Sequence, residues 1–129
     1  MNSLTIEKII MSHLLTLPNF DKSKVARVNH NFTPPATGVW YRVNIIGGVN
    51  VVACINEKPC TREIGTLIIQ VFDRENTGTA KIKQACDELA SHFAYFSQEN
   101  LELLTPSVVF VGVDNGFCQY NVSIPYRYN

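Results

Sequence analysis

Three histidines, four cysteines, two close carboxylate pairs and two glycine-bearing turns are the residues of this chain whose types could do chemistry. Asp73 and Glu75 stand two apart, which on a strand end puts both carboxylates on one side, a spacing able to hold a divalent cation. They flank Arg74 and lead into an expected helix N-terminus, where negative charge is favoured without any ligand, and we prefer that reading. Asp87 and Glu88 fall on the polar side of the same helix and read as a solvated face. His13 lies on or near an apolar helical stripe and reads as a part-buried, hydrogen-bonded histidine. His92 closes a helix, where a cation complements the dipole. His30, between Asn29 and Asn31, is the one histidine kept as a functional candidate.

Cys54, Cys60, Cys86 and Cys118 form no C-x-x-C, so neither a zinc knuckle nor a redox motif is indicated. They read as reduced thiols of a cytosolic protein, with a Cys54–Cys60 bridge across a loop as the alternative. Gly47-Gly48 and Thr77-Gly78-Thr79 could in principle hold phosphate at a helix start. Yet the chain contains neither G-x-x-x-x-G-K-[ST] nor G-x-G-x-x-G, and no serine sits in G-x-S-x-G. Nothing here is a catalytic, cofactor or metal motif, and the expectation is a non-enzyme without cofactor. A cluster of Phe117, Tyr120, Tyr126, Arg127 and Tyr128 instead has the composition of an interface anchor. The same mixture could stack on single-stranded nucleic acid. That reading would need a basic patch from Lys22, Lys24 and Arg27, and salt-sensitive binding would reveal it.

The elements that must position these residues belong to one domain of 129 residues. Basic and acidic residues balance at 11 each, so no global field draws the chain to nucleic acid or an anionic membrane. The N-terminal apolar stretch is interrupted by Glu7, Lys8 and His13 and reads as a helix, not a signal peptide, and no run is long enough to span a bilayer. Charged residues make up 17%, below the usual quarter, which suggests a surface partly covered by a partner.

Helical spacing of Ile6, Ile9, Ile10, His13, Leu14 and Leu17 predicts a helix over 3–17, stopped by Pro18. A short edge strand is expected at 25–30, then an extended loop through Pro34-Pro35. Alternation predicts a strand over 39–46 ended by Gly47-Gly48, with 49–55 extending or repeating it, and 56–62 as loop. Ile64–Phe72 is apolar on both faces and reads as a central strand covered above and below. A second helix is expected over 79–96, capped by Thr77 or Thr79, with Ile82, Cys86, Leu89, Phe93 and Phe96 on its stripe. A short strand is expected near 99–104. Strands at 108–113 and 117–126 flank Asp114-Asn115-Gly116, a tight-hairpin signal because Asn-Gly accepts positive φ. The sum is α+β: one mixed, mainly antiparallel sheet of about four to five strands with two main helices packed on it.

Two blocks of this pattern resemble a known family. Asn29-His30-Asn31-Phe32-Thr33-Pro34-Pro35 precedes the strand Trp40-Tyr41-Arg42-Val43. Arg62-Glu63-Ile64-Gly65-Thr66-Leu67-Ile68-Ile69-Gln70-Val71-Phe72 is followed by Gly78-Thr79-Ala80, Ala85, Asp87-Glu88-Leu89 and Phe93. Over residues 27–96 the chain resembles the tail terminator family of long-tailed bacteriophages, including its prophage branch. The resemblance implies a virion protein assembled in the host cytoplasm, at the head-proximal end of the tail. It implies a homo-hexameric ring on the last ring of the tail tube protein, which ends tube polymerisation and offers a surface to head–tail connector proteins. It implies no enzymatic activity, no cofactor, no membrane and no sequence-specific nucleic acid. Within that frame the loop 53–63 and the turn 73–76 are expected to carry subunit or tube contacts, with Arg42, Arg62, Glu63, Asp73, Arg74 and Glu75 as interface residues, because arginine forms geometrically strict pairs. The alternatives are a head-completion or head–tail joining protein and, from another class, a small enzyme with an unsignalled site at His30.

Overall fold

The structure, a computed structural model, describes residues 3–18, 20–26, 31–52 and 61–129. In chain order they form α1 (Ser3–Leu14), a 3₁₀ turn (Lys22–Lys24), β1 (Val25–Ala26), β2 (Trp40–Val52), β3 (Thr61–Arg74), α2 (Ala80–Phe93), β4 (Ser97–Gln98), β5 (Leu101–Leu103), β6 (Ser107–Asp114) and β7 (Phe117–Tyr128). One sheet joins all the strands in the order β1-β2-β3-β7-β5-β4, with β6 also paired to β7. Only β1 runs parallel to its neighbour; every other pairing is antiparallel.

The expected class, α+β with a mixed sheet, describes this arrangement, but the strand count is corrected from four or five to seven. Of the short pieces, β1 and β5 answer the short strands expected at 25–30 and near 99–104, while β4 has no counterpart, since two residues are too short to show an alternation in sequence. They exist because long neighbours need partners. β7 is paired to β3 along its whole length, and its other edge is shared between β6, at 117–123, and β5, at 126–128.

Both helices pack on one face of the sheet. Ile6, Ile9, Ile10 and Leu14 of α1 and Ile82, Ala85, Cys86, Leu89 and Phe93 of α2 meet Val43, Leu67, Ile69, Val71, Val122 and Ile124 in one core. Directly opposed pairs such as Val43↔Ile69 and Ile69↔Val122 share that face. The expectation that β3 is covered above and below fails on the second face. There Ile64 is exposed and Ile68 half-buried, and only Phe72 is buried, by aromatic neighbours.

Boundaries shift for identifiable reasons. α1 ends at Leu14, not 17, because Thr16 and Leu17 bond back three residues, in 3₁₀ fashion. α2 ends at Phe93, not 96: Ala94 is extended and Tyr95 adopts φ 56°. Thr79 is its N-cap but makes no side-chain cap bond; Thr77 bonds Asp73 and the Arg74 carbonyl instead. Gly47-Gly48 does not end β2. The strand runs through them to Val52 by a bulge that sets two residues of β2 against Gly65 alone. The hairpin signal holds, with Asn115 at φ 51° and Gly116 at φ 82° joining β6 to β7. Residues 27–30 and 53–60, which include His30, Cys54, Cys60 and most of the expected interface loop, lie outside the described residues.

The bulge also seats Tyr126. A Cβ added at Gly47 would come 2.5 Å from the Tyr126 hydroxyl, and one at Gly65 2.6 Å from it and 2.5 Å from the Ile46 carbonyl. The two glycines are therefore a steric requirement for the buried ring between them. The helix ends are joined separately. His13 Nε2–H donates to the His92 carbonyl at 2.7 Å, and His92 Nε2–H donates to the His13 carbonyl at 2.7 Å. Each helix thus supplies a donor to a C-terminal carbonyl of the other; the His13 carbonyl also accepts from the Thr16 backbone N–H at 3.1 Å and the Thr16 hydroxyl at 2.6 Å. The rings stack 4.0 Å apart, with Phe96 3.6 Å beyond His13.

Two predictions follow from these contacts. Gly65→Ala should destabilise the fold by about 1–3 kcal/mol, as overpacking does, read as a lower urea midpoint. Burial holds the His13 pKa below 6.5, partly offset by the bond to the His92 carbonyl and reinforced by the His92 ring. The unfolded chain therefore takes up this proton first, and stability should fall as the pH drops below about 6.5. Urea midpoints at pH 7.5 and 5.5 check this, and His13→Gln should flatten the difference.

Candidate assembly interface

The face of the sheet turned away from the helices is polar along its middle. Asn44 Nδ2 donates to Gln70 Oε1 at 3.1 Å, and Gln119 Nε2 donates to Asn121 Oδ1 at 2.9 Å. At one end it changes character. Trp40 and Phe72, opposed on β2 and β3, stack with centroids 4.1 Å apart, and Phe117 meets Trp40 edge-on at 5.4 Å. Phe32 of the preceding extended segment closes on Trp40 at 5.2 Å. Two guanidiniums lie on this cluster. Arg74 stands 4.6 Å over Phe117 and donates from Nη2 to the Pro35 carbonyl at 2.9 Å. Arg42 stands 5.8 Å over Trp40 and 5.7 Å over Phe72 and is solvent-exposed.

A groove of about 580 Å³ opens here, floored by Trp40, Phe72, Phe117 and Gln70 and walled by β6. The Trp40 Nε1 atom is buried and has no hydrogen-bond partner. An unmet buried donor costs on the order of 1–3 kcal/mol, a cost the Trp40 packing carries, and the groove itself offers an acceptor the Arg42 cation.

β6 itself is the larger anomaly. Val108, Val109, Phe110, Val111 and Val113 are 40%, 54%, 54%, 52% and 55% exposed, half of the large exposed hydrophobics among the described residues. The strand pairs only with β7, leaving its outer backbone edge open among the described residues. Natural edges are usually blunted by charge or proline, and Ser107–Val113 contains neither. Its single irregularity is the bulge between Phe110 and Gly112.

The six interface residues expected from sequence divide between the two ends of β3, about 40 Å apart at the usual rise per residue. Arg42, Asp73, Arg74 and Glu75 gather at the aromatic end. Asp73 is 3% exposed and inward: Oδ1 accepts from the Arg74 backbone N–H at 2.8 Å and Oδ2 from the Thr77 hydroxyl at 3.2 Å. Its carboxylate shapes the turn, while Glu75 is exposed beside it. At the far end Arg62 donates to Asn129 Oδ1 at 2.6 Å, and Glu63 is buried. Arg127, noted only as an aromatic companion, pairs with Glu102 at 2.5 Å in a half-exposed contact. Sequence reasoning marked the 108–113 strand but not its exposure, since alternation shows which residues are apolar and not whether a neighbour covers them.

Chemistry finds little footing. Burial pushes the Cys86 thiol up to about 12, with the nearby Asp87 adding to it, and burial likewise raises Cys118, so neither is a thiolate at neutral pH. His92 Nε2 faces the His13 carbonyl and the Thr16 hydroxyl rather than a carboxylate. No group of three or more metal-ligating side chains occurs among the described residues. No helix among them is long and apolar enough to cross a membrane.

An open sheet face, an arginine-capped aromatic groove and a bare apolar edge define an assembly subunit. A family model described as phage tail terminator protein matches residues 5–112, and the chain belongs to that family. It is therefore a structural protein of a phage tail, a virion component that works by assembly with other tail and virion proteins. A solved chain superposes with a TM-score of 0.66 over 95% of both chains at 18% identity, which shows a shared fold. No curated protein matches.

The groove separates packing from recognition. Trp40→Ala should cost about 3–5 kcal/mol, because a buried ring leaves a cavity. Arg42→Ala should shift stability by less than about 1 kcal/mol, the scale of an exposed cation–π contact. Thermal denaturation of the two variants checks the contrast.

Proposed function

We propose that this protein forms a hexameric ring that caps the phage tail tube, ends its polymerisation and presents the surface to which the head joins. The observation that carries the reading is the bare apolar edge of β6 on a member of the tail terminator family. An edge of that kind is an aggregation hazard in a protein that works alone and a ready contact in one that works in a particle. A closed ring needs two unlike surfaces per subunit, and the chain offers unlike outer sheet edges on β2 and β6. Arg42, Arg74 and Glu75 belong to the contact at the aromatic end and Arg62 to that at the other, with the tail tube protein and the head–tail connector above and below. Neutral net charge fits protein contacts better than nucleic acid.

The test is tail length. A phage or prophage with this reading frame disrupted should produce overlong, headless tails by negative-stain microscopy, and expression of the wild-type chain in trans should restore both length and heads. Tails of normal length beside unattached heads would overturn termination and assign the chain to head–tail joining instead.

A further inference from the structure

Two strand segments of this chain carry no charged residue and have an outer edge that no described residue pairs, and they cannot meet within one subunit. The first is Ser107–Val113 of β6, with its five exposed side chains. The second is Ile46–Val52, the β2 strand of the distal β2–β3 arm. No charged residue occurs between Arg42 and Glu57. Beyond Arg42 no described residue pairs with the outer edge of β2, and Ile46 and Ile64 on the arm are 59% and 40% exposed. The arm also outruns the sheet: the β3–β7 pairing stops at Glu63↔Tyr128, while β2 and β3 continue pairing to Val52↔Thr61. β3 and β7 stand between β2 and β6, so in one chain the two edges face opposite ways.

We propose that β6 of one copy pairs edge to edge with the β2 arm of the next, joining neighbouring sheets into one continuous inter-subunit sheet. The proposal rests on the ring reading and supplies its seam. The two segments match in length, since Ile46–Val52 and Ser107–Val113 are seven residues each, roughly 20 Å of strand. They match in chemistry, both without charge, so pairing gives partners to backbone groups without burying a charged side chain. Each carries one bulge, at Gly47-Gly48 and at Val111, which bends a strand and increases its twist. The contact is heterologous: the edge given differs from the edge received, as closure by rotation requires, whereas β6 pairing with β6 would stop at a two-fold dimer. The occupant is a second copy because the complementary edge is already present on this chain.

Paired variants test the seam. Val109→Lys/Val111→Lys charges the β6 edge and Ile46→Lys/Ile64→Lys charges the arm; all four side chains are exposed, and circular dichroism confirms that both variants fold. Light scattering over a concentration series should give an assembly for the wild type and the 14.5 kDa monomer for either variant alone. An equimolar mixture of the two variants should stop at dimers, because one intact β6 and one intact arm remain per pair. Either variant assembling like the wild type, dimers of the arm variant alone, or a mixture that stays monomeric would overturn the seam. So would a wild type that is monomeric at every concentration. The ring itself is judged separately by tail length, which can survive each of these results.

Discussion

The pairing of β3 with β7 is the contact on which the rest of this structure depends. Twelve consecutive opposed pairs, from Glu63↔Tyr128 to Arg74↔Phe117, run without a slip. A shift of one residue would turn Leu67, Ile69 and Val71 away from the helices and send Ile68, Gln70 and Phe72 toward them. The tight Asp114–Phe117 turn holds β6 against the same strand, and β5 takes what β6 leaves. Tyr126, held by β7 over Gly47 and Gly65, ties the register of β2 to that of β7 across the strand between them.

That register sorts the residues into two faces with different fates. One face is buried by α1 and α2, whose ends are clasped by the histidine pair. The other keeps amide side chains along its middle and ends in rings stacked under guanidiniums. β6 lies beside α2, yet its valines and Phe110 stay exposed, on a strand that would be a core strand in a larger sheet.

The expected site shows how far spacing alone carries. Asp73, Arg74 and Glu75 were singled out for charge at a turn, and the turn exists. Yet Asp73 is spent on the Arg74 backbone and Thr77, while Arg74 lies on Phe117, 43 positions away in sequence. Arg42 and Arg62 are both arginines in strands, but the first sits on an aromatic platform and the second beside Asn129. Nothing local distinguishes them, because their neighbours come from other strands. The histidine clasp was half readable: His13 fell on the apolar stripe, but its partner is on the other helix.

What the sequence determined by itself are the features set by local chemistry. The period of Ile82, Cys86, Leu89 and Phe93 dictated a helix, Asn115-Gly116 dictated a two-residue turn, and alternation from Cys118 to Tyr126 dictated a half-buried strand. The absence of motif spacing pointed away from catalysis, and two strand–loop blocks resembled the right family. Only the tertiary structure decided the number of strands, because a piece such as Ser97–Gln98 is a strand solely by virtue of the edge it completes. It also decided that Gly47-Gly48 is a bulge rather than a stop, since the reason lies in Tyr126, nearly 80 residues later. And it decided that β6 is bare: a run of valines promises burial, but whether anything covers it depends on which elements pack over that edge of the sheet.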